Sequence, residues 1–363
     1  MAKPLIIFDA WPRTPSLVCD NPTLAKLEGL GDLVVATGAP LAEEQLDKLI
    51  PRATMIMGET NMPRSRLERA KELKAIFNIS GNFPANIDYE YCQTHGIYVL
   101  TGGPAFAVPV AEAALAMAID LVRGISQHDR KFRAGTERWF HEGTIHHTYL
   151  FTGASVGIIG YGDLGRALRK MLVPFRNSVK VYDPWVADYI IQRDDCSVAG
   201  LEEVLSTSKV IFVFASPTVD NQRFIGRQEL GLIQKNAAFV LMSRAGVVDF
   251  DELVRQVDEG RFQAAVDVFP QEPIAADHPV RRVDGMLLSG HRTGGMTEAF
   301  QEIGRLVVGD AELVLRGLPP QLCRRADASI AAKFRDKTER DAGVGRKTDV
   351  LEKYDERGSG GPA

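Results

Sequence analysis

The sequence predicts an α/β protein with two parallel-sheet domains. Three observations carry that expectation. Apolar runs of strand length alternate with helix-like stretches along the chain, and the run nearest its middle ends in a glycine-rich turn. About 150 residues precede that turn, enough for a domain of their own. With 363 residues and 45% hydrophobic content, the chain can bury one large core or two ordinary ones.

The first strands are 5–8, 33–36, 55–57, 75–79 and 98–100, with helical stretches such as 42–49 and 64–71 between them. Residues 108–132 follow, where Val110, Ala113, Ala114, Met117, Ala118 and Leu121 form an apolar stripe, read as one long helix leaving the first sheet. Strands then resume at 156–159, 179–182, 210–214, 238–242, 264–266 and 286–288. A helix near 297–316 returns to pack on the first domain. From about Phe334 charges mix with glycine without an apolar stripe, the composition of a solvated tail or, alternatively, a docking arm.

Composition narrows the function classes. A net charge of −4 with interspersed acids and bases makes no electrostatic case for nucleic acid or a membrane surface. Cys19, Cys92, Cys196 and Cys323 stand far apart without metal-ligand spacing, as free thiols do in a reducing compartment. The N-terminal apolar run is too short for a signal peptide and reads as a strand, and no uninterrupted apolar stretch has transmembrane length. The expectation is a soluble, cytoplasmic protein.

The central turn is the most specific motif. Val156 to Ile159 are suited to a strand buried on both faces, and Gly160, Gly162 and Gly165 follow at dinucleotide-binding spacing, enclosing Asp163 and Leu164. Gly160 permits the turn, Gly162 admits a pyrophosphate to the backbone, and Gly165 lets the next helix pack close, its first N–H groups pointing at phosphate. Asp183 ends the next strand, where a carboxylate accepts from an adenosine ribose and repels a 2′-phosphate, so NAD is favoured over NADP. A glycine-rich strand–helix turn without ligand is the alternative, and Asp163 beside the phosphate site counts towards it.

Other polar residues follow strands closely. Arg244, Asp267 and His291 come after the last three strands, and Glu272 lies in the loop of Asp267, so all belong at one sheet edge. Singly, a loop arginine is solvated and a loop glutamate caps a turn. Jointly, they are what reduction of a 2-keto acid needs. The guanidinium holds a carboxylate and polarises the adjacent carbonyl, while the imidazolium gives up a proton that a neighbouring carboxylate helps it retain. In the first domain, Ser80-Gly81-Asn82 follows a strand and either cradles a substrate carboxylate with its N–H groups or forms a plain tight turn.

From about Lys3 to Arg316 the chain resembles the D-isomer-specific 2-hydroxyacid dehydrogenase family. The resemblance rests on ISGNFPANID (79–88), HGIYVLTGGPAFAVPVAE (95–112), GASVGIIGYGDLG (153–165), SRAGVVDFDEL (243–253), AAVDVFPQEP (264–273) and SGHRTGG (289–295). It implies two Rossmann-like/flavodoxin-like domains, the nucleotide domain (104–292) inserted in a substrate domain built from 1–103 and 293–333, with 334–363 as a tail. It implies catalytic Arg244, Glu272 and His291, Asp267 on the nicotinamide carboxamide, and backbone around Ser80–Asn82 on the substrate carboxylate. Closure about 101–105 and 292–296 would exclude water. The implied assembly is a homodimer through the nucleotide domain, with Arg138-Trp139 in an arm.

Departures are visible too. Phe214-Ala215-Ser216-Pro217-Thr218 replaces a His-x-Pro-Leu-Thr run in the loop that shapes the cofactor pocket, where Pro217 is assigned to the cofactor. Gly102-Gly103-Pro104 replaces an Asn-x-Pro-Gly hinge. Glu272 stands where related formate dehydrogenases carry glutamine, and little folded chain is expected beyond Arg316 to form a regulatory domain. An NAD-sensing co-repressor-like scaffold is the alternative function. His141, His146 and His147 are read as surface or interface residues with no metal, a substrate contact being the other role. His128 is assigned to a helix end and Asp9 to a turn.

Overall fold

The computed structural model describes residues 3–81, 83, 85–139, 141 and 148–333. Asn82, His146, His147 and the segment 334–363 lie outside the described residues. The chain divides into two compact units, Met1–Ala105 with Thr297–Ala363, and Phe106–Met296, against expected divisions after 103 and 292.

In the first unit the strands are β1 (Leu5–Asp9), β2 (Asp32–Val35), β3 (Ala53–Gly58), β4 (Ala75–Asn78) and β5 (Tyr98–Thr101). They are parallel, and among the described residues the sheet order is β13-β5-β4-β3-β1-β2, where β13 (Arg324–Arg325) pairs antiparallel with β5. Every residue of β1, β3 and β4 is buried, as both faces of a parallel sheet are when helices cover them. The helix Thr297–Leu315 buries Ile303, Val307, Val308 and Ala311. Gly304 allows its approach, since a Cβ there would stand 2.1 Å from the Val18 carbonyl oxygen.

The helix expected over 64–71 is only Arg64–Leu67. Leu67, Ala70 and Leu73 all enter one core cluster, and that three-residue period suits tight turns better than an α-helix. Asp9 accepts from Trp11 and Leu41 N–H groups, a turn-holding role. Beyond Arg316 more chain is ordered than expected. The fully buried Asp310 carboxylate accepts from the backbone N–H groups of Gln321, Leu322 and Cys323, which leads the chain into β13.

The second unit contains β6 (Ser155–Ile159), β7 (Ser178–Tyr182), β8 (Ser197–Val198), β9 (Val210–Val213), β10 (Ala238–Leu241), β11 (Gln263–Val266) and β12 (Met286–Leu288). Among the described residues they form one sheet in the order β12-β11-β10-β9-β6-β7-β8, all neighbours parallel. Strand order reverses between β6 and β9, the place where doubly wound sheets bind ligands.

The single helix expected over 108–132 is two, Ala107–Arg123 and Ile125–Arg133. Gly124 between them adopts φ 65° and ψ 30°, a left-handed conformation that ends an α-helix, and the Asp120 carboxylate accepts from Ser126 N–H across the break. By length and composition Gly103–Arg123 could cross a membrane. Its Val110, Ala111, Ala114, Ala118 and Leu121 instead join the core formed with β6, β7 and β10 side chains.

Replacing Asp310 with alanine leaves the N–H groups of 321–323 without their acceptor. The expected loss is about 2 to 3 kcal/mol of first-unit stability, read as a lower urea midpoint by circular dichroism. An unchanged midpoint would assign the ordering of this segment to the β13–β5 pairing alone.

Candidate functional site

The glycine turn is built by close approach. Gly160 has φ 95°, and a Cβ there would lie 2.4 Å from Ala215 N in the loop after β9. At Gly165 a Cβ would lie 2.6 Å from the Gly160 carbonyl oxygen, so the helix Asp163–Leu172 is drawn against β6. Gly162 is its N-cap residue, and no side chain caps the helix there, which leaves the first-turn backbone of Asp163, Leu164 and Gly165 as the natural seat for an anion. The loop after β9 is braced by Asn221, whose Oδ1 accepts from Thr218 N–H while its Nδ2 donates to Ser216 O, placing Pro217 between the two bonds.

Asp183 stands at the end of β7 as expected, but its carboxylate also serves the turn itself. Oδ2 accepts from Tyr161 N–H at 2.6 Å and Oδ1 from Trp185 N–H at 2.8 Å. Tyr161, absent from the sequence-based assignments, is fully buried and donates its hydroxyl to Asp194 at 3.1 Å. Burial pushes that hydroxyl well above its ordinary pKa, with Cys196 and Asp194 adding to the effect. The signal that marked it was available: a bulky aromatic between Gly160 and Gly162 must be either buried or stacked.

Arg244, Glu272 and His291 come together at the carboxyl ends of β10, β11 and β12, three adjacent strands. His291 Nδ1 lies 2.7 Å from Glu272 Oε2, and Nε2 lies 3.5 Å from Arg244 Nη1. Glu272 is itself held by Phe269 N–H at 3.0 Å, and Arg244 donates to the Ser243 carbonyl at 2.8 Å. The carboxylate therefore accepts a hydrogen bond from Nδ1–H, which leaves Nε2 as the nitrogen turned toward the guanidinium.

Asp267 reaches the same edge with its side chain already committed. It is 1% exposed, and its carboxylate accepts from Arg292 N–H at 3.0 Å and from the Thr293 hydroxyl at 2.6 Å, while its carbonyl accepts from His291 N–H at 2.7 Å. His291 sits at φ 54°, a left-handed conformation uncommon outside glycine. Ser243 Oγ and Arg166 Nε are buried without a partner among the described residues. An orphaned hydroxyl beside Arg244, an uncapped helix start and a carboxylate at the β7 end together fit a dinucleotide.

In the first unit the turn at Ser80–Gly81 is fastened to β5. The Thr101 hydroxyl donates to the Ser80 carbonyl, and Gly103 N–H donates to the same hydroxyl at 3.3 Å. The Gly102-Gly103 departure has a steric reason: a Cβ at 102 would meet Ile303 at 2.7 Å, and one at 103 would meet the Gly81 carbonyl oxygen at 2.9 Å. His141 is described and exposed. No group of three metal-ligating residues occurs among the described residues.

Burial pushes the Glu272 carboxyl up, but the His291 and Phe269 hydrogen bonds and the nearby charges of His291 and Arg244 outweigh it and hold the group below its ordinary value. A lowered carboxyl stabilises the folded state above its unfolded pKa and ceases to as pH falls through the folded one. The stability gap between the native chain and Glu272→Gln should thus be full above about pH 5 and shrink progressively as pH falls below the ordinary glutamate range. Urea midpoints above and below that range check this, and a gap independent of pH would overturn it.

Residues 115–293 match the family described as D-isomer specific 2-hydroxyacid dehydrogenase, NAD binding domain. A phosphoglycerate oxidoreductase from Rhizobium etli, known from its crystal structure, is 39% identical with a TM-score of 0.80, the match covering 89% of this chain and 98% of that one. A D-3-phosphoglycerate dehydrogenase of Methanocaldococcus jannaschii is 29% identical over 80% of this chain and 55% of its own length. A glyoxylate reductase of Thermofilum pendens is 27% identical over 85% of this chain and 93% of its own. The chain spans about half the length of the two archaeal phosphoglycerate dehydrogenases it matches, 55% and 54%. The unit Phe106–Met296 carries an NAD-binding domain, and the chain belongs to the D-isomer specific 2-hydroxyacid dehydrogenase family.

Proposed function

We propose that the chain is an NAD-dependent oxidoreductase interconverting a small D-2-hydroxy acid and its 2-keto acid. The observation that carries this reading is the continuous Arg244–His291–Glu272 contact at the carboxyl edge of the sheet that also holds the glycine turn. When bound, NAD supplies or accepts the hydride at the substrate C2. Arg244 pairs with the substrate carboxylate and polarises the carbonyl oxygen. His291 delivers a proton from Nε2 to that oxygen, or removes it in the reverse direction. Glu272 fixes the ring through Nδ1, and Asp267 acts one step back by holding the backbone of 291–293.

For the cofactor, the first turn of the helix Asp163–Leu172 takes the pyrophosphate and Asp183 the adenosine ribose, with Leu164 and Pro217 flanking. Ser80, Gly81 and Asn82 keep their assignment to the substrate carboxylate. The expected assembly is a homodimer through the nucleotide-binding unit. Ile125 and Phe132 share one helix face at a spacing of seven residues, and the Phe132 ring meets Trp139 edge-on, with all three more than half exposed.

With NADH and a panel of glyoxylate, hydroxypyruvate and pyruvate, the native chain should turn over at least one acid. His291→Gln should lower kcat by about 100-fold or more, and Arg244→Gln should act mainly on kcat/KM. Tight NADH binding without turnover of any acid would sink the enzyme reading and favour a cofactor-sensing scaffold. Sedimentation equilibrium checks the assembly: the native chain should be a dimer and Trp139→Glu should shift it toward monomer. A native monomer at micromolar concentration would overturn the dimer.

A further inference from the structure

Arg13 lies in the loop after β1, at the carboxyl edge of the first unit's sheet. Its side chain is 23% exposed, and its nearest acid is Glu59, after β3, at 3.8 Å, beyond hydrogen-bond length. Its guanidinium lies 5.1 Å from the centre of the Phe300 ring, in the first turn of the 19-residue helix Thr297–Leu315. Five N–H donors on a half-buried cation therefore lack a bidentate acceptor among the described residues. Burial pushes the guanidinium below its usual pKa and Glu59 offsets only part of that.

The position is suited to recognition. In the order β4-β3-β1, the loop of Arg13 is two strand steps from the Ser80–Gly81 turn after β4, about 10 Å at the backbone. A small 2-keto acid held at that turn would extend its far end along the same edge.

We propose that Arg13 pairs with a second anionic group on the substrate, so that the preferred 2-keto acid carries a distal carboxylate or phosphate; this rests on the 2-keto acid reading above. The ring of Phe300 keeps the guanidinium in place and desolvated, and Glu59 holds it until the substrate anion arrives, a role that a monodentate contact at 3.8 Å can give up.

The test is steady-state reduction by the full chain with NADH and three acids: hydroxypyruvate, with a neutral end, 2-ketoglutarate, with a carboxylate, and 3-phosphohydroxypyruvate, with a phosphate. In the native chain kcat/KM for one of the two doubly charged acids should exceed that for hydroxypyruvate by about 10-fold or more, and which one it is identifies the anion. Arg13→Gln should erase that preference through KM and leave hydroxypyruvate within about 3-fold, and Arg13→Lys should restore part of it. Equal losses on all three acids, or a native preference for hydroxypyruvate, would overturn the proposal. If none of the acids is reduced, the reaction reading fails, and calorimetry on the NAD complex decides Arg13 separately. Phosphoglycerate binding tighter than glycerate, with the difference lost in Arg13→Gln, sustains it; equal binding ends it.

Discussion

The candidate site depends on the buried carboxylate of Asp267. A fully desolvated carboxylate is tolerable only when its lone pairs are filled, and here the fillers are the Arg292 N–H and the Thr293 N–H and hydroxyl. Those bonds turn the chain sharply after β12, and the turn places His291 at a positive φ with its ring against Glu272. The left-handed conformation costs about 1 kcal/mol for a side chain other than glycine. Asp267 is rooted in the fully buried end of β11, so a rigid strand holds the strained residue in place. A contact from Asp267 to the nicotinamide carboxamide would have to compete with these bonds.

Adjacent parallel strands do the rest of the positioning. β10, β11 and β12 run in register, with Leu241 opposite Val266 and Val266 opposite Leu288. Arg244 leaves the sheet three residues after Leu241, and His291 three residues after Leu288. Equal offsets from paired positions bring the two side chains to the same height above the sheet. Glu272 arrives from the intervening strand through a longer loop, and needs the Phe269 N–H to turn it back toward the imidazole.

Much of this was legible because buried parallel strands are written as uninterrupted apolar runs, and because Gly160 and Gly165 stand where a Cβ would collide with backbone. The grouping of Arg244, Glu272 and His291 was legible by its place after strands, although the 2.7 Å contact between Glu272 and His291 was not, since loop paths depend on bonds such as those of Asp267. The helix pair at 107–133 was hidden for a local reason. Helical spacing of apolar residues continues across Gly124, and only the left-handed turn and the Asp120 cap reveal the break. β13 was hidden for the opposite reason: two exposed arginines carry no strand pattern, and a distant carboxylate, Asp310, orders them.

Asp183 shows why cofactor choice and local structure are hard to separate in this chain. In the proposed role its carboxylate discriminates against a 2′-phosphate, yet the same two oxygens hold Tyr161 and Trp185 N–H groups. Tyr161 lies inside the glycine turn, and its other end is tied to Asp194. Removing the negative charge at 183 therefore does more than admit a phosphate. It also withdraws the acceptor that fixes the turn between Gly160 and Gly162, the proposed seat of the pyrophosphate. A neutral residue that still accepts from Tyr161 N–H, such as asparagine through its carbonyl oxygen, separates the two roles. One that cannot accept loosens the turn for either cofactor, so the loss of NAD would exceed what the ribose contact alone contributes.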